Sequence, residues 1–255
     1  MSGGDAAARS RGLPPFRAVF AVDTMSFGRN TDPVQRELAD QLPSVVARAF
    51  DQAGAEDAWR DRHFVRNPGD GYWFCCSASH LPVLLGVFGA LQDLLLGMAL
   101  EDRGGPRMRL RASLHVGPIA DPGRSGEIVG NTVITAHRLL DAQPARDALE
   151  RSDPDQTLLV AMISAPVYDS VVATGLGAVP AARFAACTVQ VKELSAQAYL
   201  YVPCPSGDLL RDGVAGKPLA RTDSTAGGLV VTGSGQGIYQ PLVFGDIVNG
   251  PGTAR

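Results

Sequence analysis

At 255 residues the chain is long enough for one generous core, or for a domain plus a tail. A net charge of −3 excludes strong attraction to nucleic acid or to anionic membranes. Four cysteines, two of them adjacent at Cys75 and Cys76, give neither a disulfide framework nor zinc-site spacing, which fits a reducing, cytoplasmic setting.

Residues 1–15 lack the apolar core of a signal peptide and read as a flexible lead-in. The run Ala18-Val19-Phe20-Ala21-Val22 then reads as a buried strand, closed by Asp23. A carboxylate there is either a cap for the next turn or a ligand for a cation or base. Asp32-Pro33 starts a helix, with proline tolerated in the first turn. Leu38, Leu42, Val45, Val46 and Phe50 mark its buried face; Pro43 predicts a kink and Gly54 an end. Next comes strand, turn, strand: His63-Phe64-Val65-Arg66, Asn67-Pro68-Gly69-Asp70-Gly71, Tyr72-Trp73-Phe74-Cys75-Cys76. The turn chemistry predicts a hairpin with Asp70 at its tip. Trp59, Tyr72 and Trp73 read as packing residues.

Residues 81–100 are apolar and long enough to span a bilayer. Gln92-Asp93 lies inside them, and a mid-span aspartate costs roughly 2.5–3.5 kcal/mol on insertion. With no basic anchor beside it, this stretch reads as a core or interface helix ending near residues 103–106. Residues 107–116 alternate, with Met108, Leu110, Ala112, Leu114 and Val116 against Arg107, Arg109, Arg111, Ser113 and His115. That pattern predicts a half-buried strand followed by a turn at Gly117-Pro118. A helix is expected over about 129–150, a strand over 157–162, a helix over 164–174 and a β-pair over 183–192 and 196–203. The order fits an α+β fold of ferredoxin-like topology, a mainly antiparallel sheet with helices packed against it.

Past Pro203 the composition shifts to glycine, serine and threonine, which marks 204–255 as a linker and tail. Between Ser224 and Ala254 the single charge is Asp246. An ordinary disordered tail carries more charge. Residues 229–249 are apolar, with glutamine and asparagine able to form ladders, and resemble the short amyloid-type signalling motifs of bacterial immune effectors. Pro241 and the glycines oppose a long unbroken zipper, so a plain flexible tail or peptide ligand stands beside that reading.

If the first strand pairs beside the hairpin, Asp23 and Asp70 meet at one sheet edge. Two close carboxylates repel unless a cation lies between them, and oxygen-only ligands favour Mg²⁺ or Mn²⁺. Asp23 in FAVDTMSF and the turn at Gly69-Asp70 resemble the two metal-aspartate motifs of class III nucleotidyl cyclases. Residues 111–118 and the run from Glu127 through Gly130-Asn131-Thr132-Val133 to Ala136-His137-Arg138-Leu139 resemble the family's next two stretches. Val191-Lys192 falls where the family keeps a phosphate-binding lysine. The resemblance spans residues 16–203, in register throughout, and is nearest to the short actinobacterial cyclase-like proteins, whose relatives include the pyrimidine cyclases of antiphage defence.

The resemblance implies a cyclase-type sandwich that converts a nucleoside triphosphate to a 3′,5′-cyclic monophosphate and pyrophosphate. Asp23 and Asp70 would hold two metal ions, about 3.5–4 Å apart. Thr24, Met25, Ser26 and Phe27 would face the triphosphate, and Arg138 and Lys192 would stabilise phosphate charge. Arg66 and Glu127 fall at the base-reading positions, and a guanidinium paired with a carboxylate suits a base with a carbonyl edge. The family builds each site from two chains, so a homodimer is implied. The tail, read separately, offers an effector protein as its partner. One position departs: the family's asparagine four residues before the arginine is Ile134 here. Losing such a contact costs on the order of 10²–10³ in rate. Either turnover is impaired, leaving a nucleotide-binding or dimerisation module, or Thr135 or His137 holds the ribose. Plain structural roles remain open beside these: Asp70 as a turn residue, Arg138 as a helix-surface arginine, Lys192 as an edge guard and Glu127 as a helix N-terminal charge.

Overall fold

A computed structural model of the chain describes residues 13–120, 130–192 and 194–214. Strand β1 (Phe16–Thr24) runs through a seven-stranded sheet, between β3 (Gly71–Ser77) and β4 (Leu110–Pro118) and antiparallel to both. Strand β2 (His63–Arg66) lies outside β3. Beyond β4 come β5 (Leu159–Ser164), β7 (Leu194–Tyr201) and β6 (Phe184–Val191). Strands β4 and β5 are parallel; the other pairings are antiparallel.

Alternation along β1 sorts the core. Ala18, Phe20 and Val22 face α1 (Asp32–Gln52) and α3 (Leu81–Glu101). Phe20 is the hub of that layer, its ring centroid 5.1 Å from Phe50, 5.6 Å from Phe74 and 5.6 Å from Phe88. Short α2 (Glu56–Arg60) adds Trp59, which stacks on Tyr72 at 5.9 Å. Both rings are packing residues. The opposite face of the sheet is covered by α4 (Asn131–Leu140) over Val19 and Cys75, and by α5 (Gln143–Glu150) over Val160, Met162 and Leu200.

The long apolar helix α3 meets the length and composition for a membrane span, yet it packs in this core. Leu84, Leu85, Phe88 and Leu91 are fully buried. Its polar interruption has a structural use. Gln92 Nε2 donates to the Gln156 carbonyl at 2.8 Å, and its Oε1 accepts from the amides of Leu158 at 2.9 Å and Leu159 at 3.0 Å. Those amides open the buried strand β5, where an unpaired N–H costs about 1–3 kcal/mol.

Several expected boundaries move. The helix expected over 129–150 is two, because Pro144 has no N–H to offer Leu140; the chain breaks at Ala142 and restarts with proline in the first turn. Helix α1 runs through Pro43 as one element. Strand β4 starts at Leu110 rather than 107 and continues through Gly117-Pro118. Arg107 is drawn to Asp155 at 2.8 Å, and Arg109 donates to the Leu149 carbonyl at 2.7 Å and to Ser152 Oγ at 2.9 Å. Nor is β4 half-buried: its second face lies under α4, where Ser113 is fully buried and donates to the Ala136 carbonyl at 2.9 Å. The helix expected over 164–174 is a short α6 (Ala165–Val167) followed by a π-turn.

The packed structure also continues past Pro203. Thr157 Oγ1 donates to the Cys204 carbonyl at 2.6 Å, and α7 (Asp208–Asp212) buries Leu209 beneath α5 and β5. The segment 229–249 lies outside the described residues.

Candidate active site at the end of the central strand

The register of β1 assembles the site. Asp23 is opposite Gly71 in β3 and opposite Arg111 in β4. Thr24 N donates to the Asp70 carbonyl at 2.8 Å, which fixes the hairpin tip beside the end of β1. Gly71 permits this approach, since a Cβ there would lie 2.8 Å from the Val22 carbonyl oxygen. Asp23 and Asp70, forty-seven positions apart by number, are thereby neighbours, one half-buried and one exposed.

Electrostatics at Asp23 are unusual. Burial pushes its pKa up to about 6; Arg111 opposes that rise, while the nearby charges of Asp141 and Asp70 add to it. Arg111 grips both carboxylate oxygens: Nε donates to Oδ1 at 3.1 Å and Nη2 donates to Oδ2. The other guanidinium nitrogen, Nη1, lies 3.6 Å from Asp141 Oδ1 at the end of α4, and Arg146 holds the same oxygen at 2.9 Å. The alternation of β4 put Arg111 on a polar face. Which carboxylate it meets is set by strand register, and the sequence alone carried no sign of it.

Two carboxylates form an all-oxygen donor set, the chemistry that hard divalent cations take. Among the described residues no group of three His, Cys, Asp or Glu converges. Mg²⁺ is usually held by one or two carboxylates, with water and substrate phosphates completing the shell. The residues present therefore fit such an ion, on the condition that Arg111 yields the oxygens of Asp23.

The other residues singled out from the sequence lie around this corner or away from it. Thr24 and Met25 have their amides committed to strand ends, to Asp70 O and to Arg109 O, each at 2.8 Å. Thr24 is also buried, so neither amide is available to a phosphate. Ser26 adopts a left-handed conformation at φ 57°, and a 3-10 turn over Phe27–Arg29 follows. Ser26 is exposed, whereas the Phe27 ring packs back against the core on the α1 and α3 side. Arg66 is exposed at the end of β2, on the same hairpin as Asp70. Arg138 is half-buried on α4, three residues before Asp141, and Ile134 is 41% exposed one turn earlier. His137 meets the Trp73 ring edge-on at 5.3 Å, and burial lowers its pKa. Lys192 is exposed at the tip of the β6–β7 hairpin, with φ 52°. Strands β4 and β5 separate that hairpin from β1, a lateral span of roughly 14 Å at the usual strand spacing. The register also sets its tip at the far end of the sheet: Asp23 is level with Arg111 and Val160, near Tyr201, whereas Val191 and Leu194 close the opposite end. Within one chain, then, the structure does not bring Lys192 to the aspartates. Glu127 lies outside the described residues.

Two further groups are structural. Burial lowers the His115 pKa to about 4. Cys75 and Cys76 are buried, with thiols pushed up to about 12, which leaves them unreactive.

The sequence matches no family model and no curated protein. Solved structures do match in fold. An adenylate/guanylate cyclase/hydrolase from Silicibacter pomeroyi is 18% identical, with a TM-score of 0.51 over 74% of this chain and 96% of that one. The monomeric guanylyl cyclase domain of the RhoGC fusion protein from the aquatic fungus Blastocladiella emersonii is 15% identical, with a TM-score of 0.47 over 75% of this chain and 96% of that one. A bacterial light-regulated adenylyl cyclase gives 13% identity and a TM-score of 0.49 over 79% of this chain and 55% of that one. The chain therefore has the fold of adenylate/guanylate cyclase domains.

Proposed function

We propose that this protein is a nucleotidyl cyclase that converts a nucleoside triphosphate into a 3′,5′-cyclic monophosphate and pyrophosphate. The observation that carries this reading is the meeting of Asp23 and Asp70 at the end of β1, fixed by the Thr24–Asp70 backbone bond. In the reaction the ribose 3′-hydroxyl gives its proton to water as its oxygen attacks the α-phosphorus, the bond from that phosphorus to the bridging oxygen breaks, and pyrophosphate leaves with the electron pair. Two divalent ions, Mg²⁺ or Mn²⁺, held by Asp23 and Asp70, would supply charge stabilisation to both oxygens. The amides from Ser26 onward would face the phosphates, and Arg138 and Lys192 would balance their negative charge. Arg66, on the hairpin of Asp70, would read the base together with Glu127.

The distance between Lys192 and the aspartates within one chain supports a site shared by two copies, each lending its hairpin and α4 to the other. A signalling role in the cytoplasm, in antiphage defence, with the tail engaging an effector, completes the proposal. A second reading rests on Ile134, an exposed apolar side chain one helical turn before Arg138, where it has no hydrogen bond to offer a ribose. On that reading the domain binds nucleotide without turning it over.

Incubation of the purified protein with each of the four nucleoside triphosphates and Mn²⁺, followed by mass spectrometry, separates the two. Cyclic product from any of them supports the cyclase. Binding without product from all four rejects it in favour of the second reading.

A further inference from the structure

Arg111 stands where the proposed cation has to act. Its guanidinium takes both oxygens of Asp23 in a fork, in a setting where the arginine side chain is 13% exposed and the aspartate 22%. Bidentate pairs of this kind are among the stronger charge-assisted hydrogen bonds. Without Arg111, a largely buried carboxylate would have no positive partner in the absence of metal, which is costly. With it, the carboxylate has a charged partner before any metal arrives, and an incoming divalent ion meets a positive charge already seated on its ligand. The same guanidinium has a second carboxylate within reach, Asp141, 3.6 Å from Nη1.

We propose that Arg111 is a built-in cation that occupies Asp23 until a divalent ion displaces it, and that Asp141 is the seat it moves to. The proposal rests on the metal reading of Asp23 and Asp70. It makes cation binding an exchange of one positive charge for another. Apparent affinity is then lowered by the fraction of molecules in which Arg111 has left Asp23. It also connects Asp23 to the helix that carries Arg138, because Asp141 caps the end of α4.

The test is Mn²⁺ binding to the full-length chain without nucleotide, read from the free-ion signal in electron paramagnetic resonance. Arg111→Gln is expected to tighten Mn²⁺ binding about tenfold. Arg111→Lys keeps the charge but loses the fork, and should fall between the two. Asp141→Asn removes the second seat and should weaken binding about threefold. Unchanged or weaker binding by Arg111→Gln, with an unaltered circular-dichroism melt, overturns the proposal. If Arg111→Gln does not fold, Asp141→Asn decides: unchanged affinity overturns it. Asp70→Asn separates the two levels of inference. Wild-type binding that Asp70→Asn abolishes and Arg111→Gln fails to tighten removes only the role of Arg111. No Mn²⁺ binding by wild type or Arg111→Gln removes the metal site and the proposal together.

Discussion

Along β1, Ala18, Phe20 and Val22 turn toward α1 and α3, whereas Val19, Ala21 and Asp23 turn toward α4. The first set enters a thick layer of interlocking aromatic rings, with the Arg62 guanidinium laid over Trp59 at its margin, 3.2 Å from the ring centroid. The second enters a thinner layer, where Ser113, His115, Trp73 and the Asp23–Arg111 pair lie under or beside one amphipathic helix. One strand thus serves two purposes by alternation. Stability is concentrated on the aromatic face. The α4 face carries polar groups whose burial is only partly compensated, as the shifted pKa values of Asp23 and His115 record.

That contrast can be broken by substitution. Asp70→Ala, at an exposed hairpin tip, should bring cyclic-nucleotide formation down to the protein-free level while leaving the thermal melt within about a degree or two of wild type. Persistent turnover would remove the metal corner from the mechanism. Phe20→Ala on the other face should do the reverse, costing about 3–5 kcal/mol in a urea titration, since it empties the centre of the ring cluster. A loss below 1 kcal/mol would show that the rings are not the main source of stability.

Ile134→Asn sharpens the contrast by testing the functional face for a missing contact. If the domain is a cyclase impaired at the ribose, product formation should rise by about 10²-fold, as measured by mass spectrometry of the reaction. No change would mean that the ribose is held elsewhere, with Thr135 and His137 the next positions to substitute.

The smallest effect expected is in pH dependence. His115 has a folded pKa of about 4, below its unfolded value near 6.5. The unfolded chain therefore binds the proton more readily between those values, and folding stability falls as pH drops from 6.5 toward 4. Asp23 acts with the opposite sign below about pH 6, because its folded pKa is raised and the folded state takes up the proton first. The clean measurement is thus a difference. His115→Gln should lose on the order of 1–3 kcal/mol of the acid-induced destabilisation seen in wild type, by urea midpoints at pH 7 and pH 4.5. Parallel curves for the two proteins would exclude His115 as the source.

Much of this was legible from local pattern. The run 18–22 closing on Asp23, the turn chemistry of residues 67–71 and the apolar length of α3 each depend on neighbours in sequence, and all three elements form. The same holds for the approach of Asp70 to Asp23, which follows once two adjacent strands are paired. The split of α4 from α5 was also written locally, in Pro144, but helical periodicity on both sides concealed it. The true burial of β4 was not legible, because its polar-looking face is covered by a helix from elsewhere in the chain.

By itself, then, the sequence determined which segments are strands and where most helices lie, though not every end, since periodicity and turn chemistry act over a few residues. Tertiary structure alone decided what each charge meets. Arg111 lies 88 positions from Asp23, and only the pairing register of β1 with β4 sets its guanidinium on that carboxylate. Electrostatic partnership depends on distance in space and on burial, and neither has a local signature in the chain.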